Sequence, residues 1–446
     1  MSNKAKPKAI KSDSKLALKP KLRFPEFRNA DGWTTEVLGS VASISTKKVG
    51  DKTCIPMSIT SGIGLVSQMD KFGRIIAGSS YKNYLLLKKN DFAYNKSATK
   101  EYPEGFIALY SGAELAAVPN SIFTCFRIKG DSPDPQYLNY LFLGNLHGQW
   151  LRKFIEVGAR AHGSLSIDDN DLLALPVPLP KGKSSLREQQ KITDCLSSVD
   201  KLITTQALQV DALKTYKKGL MQQLFPREGE TQPRLRFPEF QNAGEWVSGD
   251  LGSKTTKVGS GITPDGGNKN YKQSGRPFVR SQNVGWCELI LDDVAFIDEE
   301  THSSFSSTEI QSFDVLLNIT GASIGRSAVA DGRIAGGNVN QHVCIIRVKA
   351  DELNHFYLNQ YLISPQGQKQ IDSFQAGGNR QGLNFAQIKS FTIPLPPKVS
   401  EQQLIANCLT SLDHLIAAKN RNLDATKTHK KGLMQQLFPS PDEVVA

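Results

Sequence analysis

Lys217-Lys218-Gly219-Leu220-Met221-Gln222-Gln223-Leu224-Phe225-Pro226 recurs without a change as Lys430 through Pro439, 213 residues later. Ten consecutive identities are beyond chance, so the chain contains an internal duplication. The same offset carries Leu22-Arg23-Phe24-Pro25-Glu26-Phe27 onto Leu235-Arg236-Phe237-Pro238-Glu239-Phe240. It also carries Glu188-Gln189-Gln190 onto Glu401-Gln402-Gln403, Cys195-Leu196 onto Cys408-Leu409, and Asp200 onto Asp413. Each copy opens on Leu-Arg-Phe-Pro-Glu-Phe, runs for about 150 residues and closes on the repeated helical segment. In between the copies diverge. Asn120, Arg127, Lys129 and Tyr137-Leu138-Asn139 still match Asn340, Arg347, Lys349 and Tyr357-Leu358-Asn359, now at an offset of 220. A shared scaffold with a diverged surface is what reading two different things with one architecture requires.

The closing segments carry a heptad seam. In the first, apolar residues fall at Ile192, Leu196, Val199, Ile203, Val210, Leu213, Leu220 and Leu224, with gaps at Gln206 and Lys217. In the second they fall at Ile405, Leu409, Leu412, Ile416, Leu423, Leu433 and Leu437, with polar interruptions at Lys419, Thr426 and Lys430. A sustained 3.5-residue period makes one apolar stripe along a helix and asks for a partner helix. Each helix is expected to span about 35 residues, or about 50 Å. Pro180 and Pro396 precede them, and Pro226 and Pro439 end them because proline cannot continue a helix. Two such seams in one chain are expected to pair with each other, and pattern alone permits either direction. Two independent helices, each packed on its own domain, would carry the same stripes.

Each variable region mixes β-rich runs with Gly, Ser and Asn turns and one amphipathic helix. Residues 121–128 and 342–348 read as strands, and 135–146 and 354–363 as helices. Each region leaves through a proline-spaced exit, Leu175-Pro176-Val177-Pro178-Leu179-Pro180 and Ile393-Pro394-Leu395-Pro396-Pro397. Just before the exits lie two polar, glycine-rich loops, Gly158-Ala159-Arg160-Ala161-His162-Gly163-Ser164 and Gly377-Gly378-Asn379-Arg380-Gln381-Gly382. Glycine lets backbone approach a ligand closely, Arg can read guanine bidentately, and Asn or Gln can read adenine. An ordinary surface turn has a similar composition, but these loops recur in both halves. Candidate DNA-contacting residues there are Arg160, His162, Ser164, Asn379, Arg380 and Gln381. Further candidates are Lys96, Thr99 and Lys100 in the first half. In the second half they are Thr263 in Gly261-Ile262-Thr263-Pro264, then Arg280, Gln282 and Asn283, then Ser323 and Arg326 in the 320–326 loop. Lys and Ser are expected on phosphates, and Arg, Gln and Asn on base edges.

The chain has 446 residues and a formal net charge of +11, with a pI near 9.2. Nucleic acid is the partner class such an excess fits, although a basic surface alone does not require it. Lys4, Lys6, Lys8, Lys11, Lys15 and Lys19 are interrupted only by Asp13 and lack an apolar core, so the N-terminus reads as a solvated basic tail rather than a secretory signal. No apolar run is long enough to cross a bilayer. Six cysteines without a Cys-x-x-Cys pair argue against zinc or a disulfide framework and fit the cytoplasm. Enzymatic signatures fail. A P-loop ending at Lys183-Ser184 would need glycine where Val177 stands, and Gly62-Ile63-Gly64 lacks the rest of a dinucleotide fingerprint. There is no His-x-x-x-His or Asn-Pro-Pro-aromatic motif, and the seven histidines are scattered.

Two diverged domains, each followed by a repeated long helix, resemble the specificity subunits of Type I restriction-modification systems. The duplicated Leu-Arg-Phe-Pro-Glu-Phe, the proline exits, the Glu188 and Glu401 helix starts and the Lys-Lys-Gly-Leu-Met-Gln-Gln-Leu-Phe-Pro ends carry the resemblance. The Gly-Ile-Thr-Pro start at Gly261 and the Gly-Ala-Ser-Ile-Gly loop at Gly321 add to it, and the first half lacks that start. The resemblance implies a non-catalytic subunit that reads a bipartite, asymmetric double-stranded DNA site, one target-recognition domain per half-site. It implies two methyltransferase subunits and two motor-nuclease subunits as partners, which hold S-adenosylmethionine, ATP and Mg, with no cofactor or metal in this chain. The short tandem repeats that tune the spacer in some members are absent from the junction 227–234.

The expected architecture is α+β. Two globular α/β-type target-recognition domains are joined by two long helices paired as an antiparallel coiled coil, with an internal pseudo-twofold repeat. The expected segments are a basic tail (1–20), a first recognition domain (21–180), a central helix (181–226), a linker (227–234), a second recognition domain (235–397), a distal helix (398–439) and a tail (440–446). The seam residues Ile192, Leu196, Val199, Ile203, Leu213, Leu220, Ile405, Leu409, Leu412, Ile416, Leu433 and Leu437 are expected to hold the helix pair and its partners. A coiled-coil scaffold that never reads sequence would explain the helices and the duplication, but not the diverged polar loops on a basic chain. A nuclease would need the catalytic motifs that are missing.

Overall fold

Each Leu-Arg-Phe-Pro-Glu-Phe copy folds into one 3-10 turn, Pro25–Phe27 and Pro238–Phe240, with proline in the first turn where its missing N–H is not needed. The structure is a computed structural model that describes residues 18–60, 62–155, 165–264, 266–375, 382–440 and 443–444. Two compact units are present: Met1–Thr204 with Asp424–Ala446, and Thr205–Leu423. The division falls inside two long helices, Ser185–Leu224 (α1) and Val399–Leu437 (α2). They run to 40 and 39 residues, longer than the heptad stripe indicated, because the Glu-Gln-Gln starts are already helical.

In the first unit, Ala42–Ile44 (β1), Asp91–Asn95 (β2), Phe106–Leu109 (β3) and Phe123–Ile128 (β4) form an antiparallel sheet in the order β1-β4-β2-β3. A second sheet orders Gly64–Ser67, Ile55–Thr60, Ala116–Val118 and Leu85–Leu87, with Ile55–Thr60 parallel to Ala116–Val118. The helix expected over 135–146 ends at Leu143, and Leu146–Leu151 is a separate helix. The break is at Asn145, whose left-handed φ of 62° no helix accommodates.

The second unit repeats the plan. Thr255–Ser260 (β5), Val315–Asn318 (β6), Ser327–Val329 (β7) and Val343–Val348 (β8) are antiparallel in the equivalent order β5-β8-β6-β7. A second sheet orders Ala295–Ile297, Arg276–Val279 and Asn338–Val339, and Arg276–Val279 again runs parallel to its last member.

The proline exits are strands. Pro176–Pro180 pairs with Trp33–Val37, and Thr392–Leu395 with Val247–Asp250. Prolines at alternate positions leave Val177 and Leu179 to donate backbone hydrogen bonds, which a two-stranded ribbon tolerates. Each unit then has its main apolar core between sheet, helix and ribbon. Tyr137, Leu138, Ile192, Leu196 and Leu437 lie in the first, and Tyr357, Leu358, Ile405, Leu409 and Leu224 in the second.

The duplicated residues are the anchors of this plan. Arg23 donates to both carboxylate oxygens of Glu188 at 2.7 Å, and Arg236 to both of Glu401 at 2.7 and 2.9 Å. The Gln189 side chain accepts from the Asp134 amide, and Gln402 from the Asn354 amide, each at 2.8 Å. In the first unit Asp200 accepts from Tyr140 at 2.7 Å and from Lys430 at 2.6 Å. In the second unit Asp413 accepts from Gln360 at 2.7 Å and from Lys217 at 2.6 Å. Gln209 also meets Lys419 at 3.5 Å in the second unit, so the α1 and α2 segments there run in opposite directions. The heptad gaps at Lys217 and Lys430 are therefore ion-paired positions on the seam.

Candidate nucleic-acid interface

The ends of β6 and β8 gather four loops of the second unit onto one rim. The segment Asn340-Gln341-His342 is the hub: Asn340 O accepts from Gly261 N at 3.3 Å, and His342 O accepts from Ile319 N at 3.0 Å. The Gln341 side chain bonds Thr263, and Thr320 Oγ1 lies 2.6 Å from His342 Nδ1. Ile319 O accepts from Leu383 N at 2.9 Å, which brings in the chain that follows residue 381. Asn318 Nδ2 donates to Ser281 O at 2.8 Å and holds the 280–283 loop.

Two glycines are required here, Gly261 for space and Gly325 for its left-handed φ of 83°. A Cβ on Gly261 would lie 1.5 Å from Val339 O, and one on Gly325 would lie 2.6 Å from the side chain of Gln368. The Gly-Ile-Thr-Pro and Gly-Ala-Ser-Ile-Gly signatures thus mark places where backbone packs against backbone or a clamping amide.

The first unit places different residues in the same positions. Lys96 N donates to Ile122 O at 2.9 Å, and Lys96 O accepts from Leu165 N at 2.7 Å. These match the Ile319–His342 and Leu383–Ile319 bonds of the second unit. The 96–100 loop and the chain leaving 156–164 therefore share a rim. Thr99 turns that loop by accepting from Tyr102 N at 3.0 Å.

The other candidates divide into four groups. Lys96, Lys100 and Arg326 have no side-chain hydrogen bond or ion pair among the described residues, and Ser323 lies half-buried beside Arg326 with its carbonyl accepting from Arg326 N. Thr263, Arg280 and Gln282 are on the rim with internal partners. Arg280 donates to Asp293 O at 2.6 Å and lies over the Tyr271 ring, and Gln282 also bonds the Asp293 carboxylate. Asn283 is a correction. It is fully buried, its amide donates to Ile290 O and Asp293, and its oxygen accepts from Arg280 N, so it shapes the turn and presents nothing to a ligand. Arg160, His162, Ser164, Asn379, Arg380 and Gln381 lie outside the described residues.

Sequence reasoning missed Gln341, His342 and Asp293. The first two follow Asn340, whose match to Asn120 was the available signal. Asp293 offers none, because its role arises from a contact eleven to thirteen residues away.

On the helices, Ile192, Leu196, Ile405, Leu409 and Leu437 are buried, while Val199, Ile203, Leu213, Leu220, Leu412, Ile416 and Leu433 are partly covered. Leu202 and Leu415, equivalent by the repeat, are 49% and 42% exposed. No group of three His, Cys, Asp or Glu among the described residues could hold a metal. Burial pushes the Cys344 thiol up to about 12 and those of Cys125 and Cys287 higher still, so these cysteines are packing groups rather than nucleophiles. No helix among the described residues is long and apolar enough to cross a membrane.

The two units share matching anchors and carry differing rims of Arg, Lys, Gln and Thr. Residues 267–426 match the family model of the Type I restriction modification DNA specificity domain. The chain is 25% identical over 338 residues to a putative type I restriction enzyme MjaX specificity subunit of Methanocaldococcus jannaschii, covering 75% of this chain and 74% of that one. It is 24% identical over 300 residues to the MjaVIII specificity subunit of the same organism, covering 64% and 66%. The fold is similar to the crystal structure of a Type-I restriction-modification S subunit from M. genitalium, with a TM-score of 0.57 at 14% identity over 95% of this chain and all of that one. It is also similar to a chain solved in a study of complex assembly and conformational transition of the type I R-M system, with a TM-score of 0.54 at 16% identity over 92% and 98%. The chain is thus similar to type I restriction-modification specificity subunits along most of its length, and its second half carries a match to their DNA specificity domain.

Proposed function

We propose that this chain is the non-catalytic reader of a type I restriction-modification complex in the cytoplasm, with each unit reading one half of a bipartite, asymmetric site in double-stranded DNA. The observation that carries the reading is the contrast within the repeat. Arg23–Glu188 and Arg236–Glu401, and Asp200–Lys430 and Lys217–Asp413, are reproduced bond for bond, while the rims at the equivalent strand ends differ residue by residue. Selection for one scaffold and two specificities leaves that record.

The two helices act as an antiparallel coiled coil that sets the spacer between half-sites. At 40 residues α1 is about 60 Å long. Equivalent exposed leucines, Leu202 and Leu415, offer the same apolar contact twice, which suits two identical methyltransferase subunits. Those partners bind S-adenosylmethionine and methylate adenine. Two motor-nuclease subunits supply ATP- and Mg-dependent restriction.

The test is single-molecule sequencing of modified DNA from cells expressing this chain with its methyltransferase, against the methyltransferase alone. Adenine methylation at one split motif, dependent on this chain, is the expected result. No new methylation from a soluble, associated complex refutes the reading and leaves a scaffold role.

A further inference from the structure

The strand Arg276–Val279 of the second unit leads into the Arg280–Asn283 loop, and its counterpart Ile55–Thr60 in the first unit leads into residues 61–77. Both strands run parallel to the equivalent neighbour, Asn338–Val339 and Ala116–Val118 respectively. The two loops therefore leave the same place in the two units, and their chemistry differs. The second carries Arg280 and Gln282, both bonded to Asp293, with Trp286 and Ile290 exposed further along. The first presents Ile63, Met69, Phe72, Ile75 and Ile76, which are 44% to 75% exposed.

This apolar face is held in shape by polar bonds beneath it. Ser67 caps the short helix Gln68–Phe72 by accepting from Asp70 N. The buried side chain of Gln68 accepts from Ile76 N at 2.9 Å and Ala77 N at 3.0 Å, and fixes the two isoleucines against the helix. Lys71 bonds Ile59 O and ties the helix to the strand. The face also adjoins the candidate rim, because a Cβ on Gly62 would lie 3.6 Å from the Tyr102 hydroxyl, and Tyr102 closes the Thr99 turn.

We infer that the face formed by Ile63, Met69, Phe72, Ile75 and Ile76 is a DNA-reading surface of the first unit that recognises thymine by its C5-methyl group. This rests on the proposed reading of DNA by each unit. In the major groove the thymine methyl is the base feature that an apolar side chain can read, as Arg reads guanine. DNA is the occupant because of the surrounding charge. Residues 61–100 carry seven basic side chains against two acidic ones, Asp70 and Asp91, and Asp91 is neutralised by Arg127. Arg74, Lys96 and Lys100 have no side-chain hydrogen bond or ion pair among the described residues, and such cations suit the phosphates that flank a base contact.

The experiment uses the full complex with its methyltransferase and duplexes carrying the methylated split motif. The half-site of the first unit is the one whose base preference survives Arg280→Ala. Replacing each thymine there by 2′-deoxyuridine, which lacks only the methyl, is expected to weaken binding roughly 3- to 10-fold at one position or more. The same replacement is expected to leave an Ile75→Ser/Ile76→Ser complex unaffected. Wild-type complex that binds its motif but is indifferent to deoxyuridine in that half overturns the inference, as does a half-site built only of G·C pairs. Loss of methyltransferase association in the double variant also overturns it, by making the face a protein contact. Absence of any sequence-specific binding by wild type would instead defeat the proposed function itself.

Discussion

Replacing Arg236 by Met removes the partner of a carboxylate with no alternative. Glu401 has no exposed side-chain surface, Arg236 is 6% exposed, and their two hydrogen bonds are 2.7 and 2.9 Å. The residual buried charge is expected to cost about 3–5 kcal/mol. The same substitution at Arg23 is an internal control. There the Trp33 indole also donates to Glu188, at 3.2 Å, whereas the equivalent Trp246 Nε1 in the second unit has no partner. A hydrogen bond to a charged group is worth about 1.5–3 kcal/mol, and this long one should spare the Arg23→Met variant about 1–2 kcal/mol. The assay is hydrogen exchange of the amides that open α2 against those that open α1, supported by denaturant titration. Arg236→Met/Glu401→Gln is expected to recover much of the loss, since removing both charges removes the unpaired one. A loss below about 1 kcal/mol for Arg236→Met, equal losses at the two sites, or a double variant no better than the single would refute the reasoning.

Leu409→Asp places a charge at a fully buried seam position of the second core and is expected to cost more than the 2–5 kcal/mol typical of truncation there, read as a lower thermal midpoint and lost methyltransferase association. Buried His147 has its pKa lowered to about 4, chiefly by desolvation, against about 6.5 unfolded, so the unfolded chain binds the extra proton first as pH falls. Stability of the first unit is therefore complete above about pH 6.5 and declines towards pH 4 by about 3 kcal/mol. His147→Gln should flatten that slope between pH 7 and 5, and an unchanged slope counts against the assignment. Arg280→Ala is expected to weaken one half-site by about 1–3 kcal/mol and spare the other, with Arg380→Ala affecting the same half. A uniform loss across both halves in a binding titration would move Arg280 to a phosphate.

What was legible in the sequence was whatever the duplication wrote twice. The Leu-Arg-Phe-Pro-Glu-Phe and Glu-Gln-Gln copies stand out because they bond each other, Arg23 to Glu188 and Arg236 to Glu401, across a separation no local pattern reveals. The gap at Lys217 was visible as a break in the stripe, but its meaning depends on Asp413, nearly two hundred residues away. The rim was only half legible. Its Arg, Lys, Gln and Asn residues fit base and phosphate chemistry by type, yet Asn283 turned inward and Asp293 captured its neighbours, outcomes decided by the fold of one turn. The apolar face of the first unit escaped altogether, because exposed isoleucines in a sequence look like core.

The anchors and the rims also differ in how they are held, which bears on how specificity changes. Asp200 takes its hydrogen bond from Tyr140, and Asp413 takes the equivalent one from Gln360. The acceptor on the long helix stays fixed while the donor on the helix packed against it, Pro135–Leu143 or His355–Leu362, varies, so a domain can be rebuilt against a constant helix surface. At the rim, the bonds that position the loops are mostly backbone to backbone, as in Lys96–Ile122 and Ile319–His342. Such bonds are indifferent to the side chain that rides on them. Lys96 and Ile319 occupy one position in two units with opposite chemistry, and neither change disturbs the sheet below. A protein built this way can alter its side chains at a strand end without touching the buried ion pairs that hold its helices, which is the physical condition the proposed reading of two different half-sites requires.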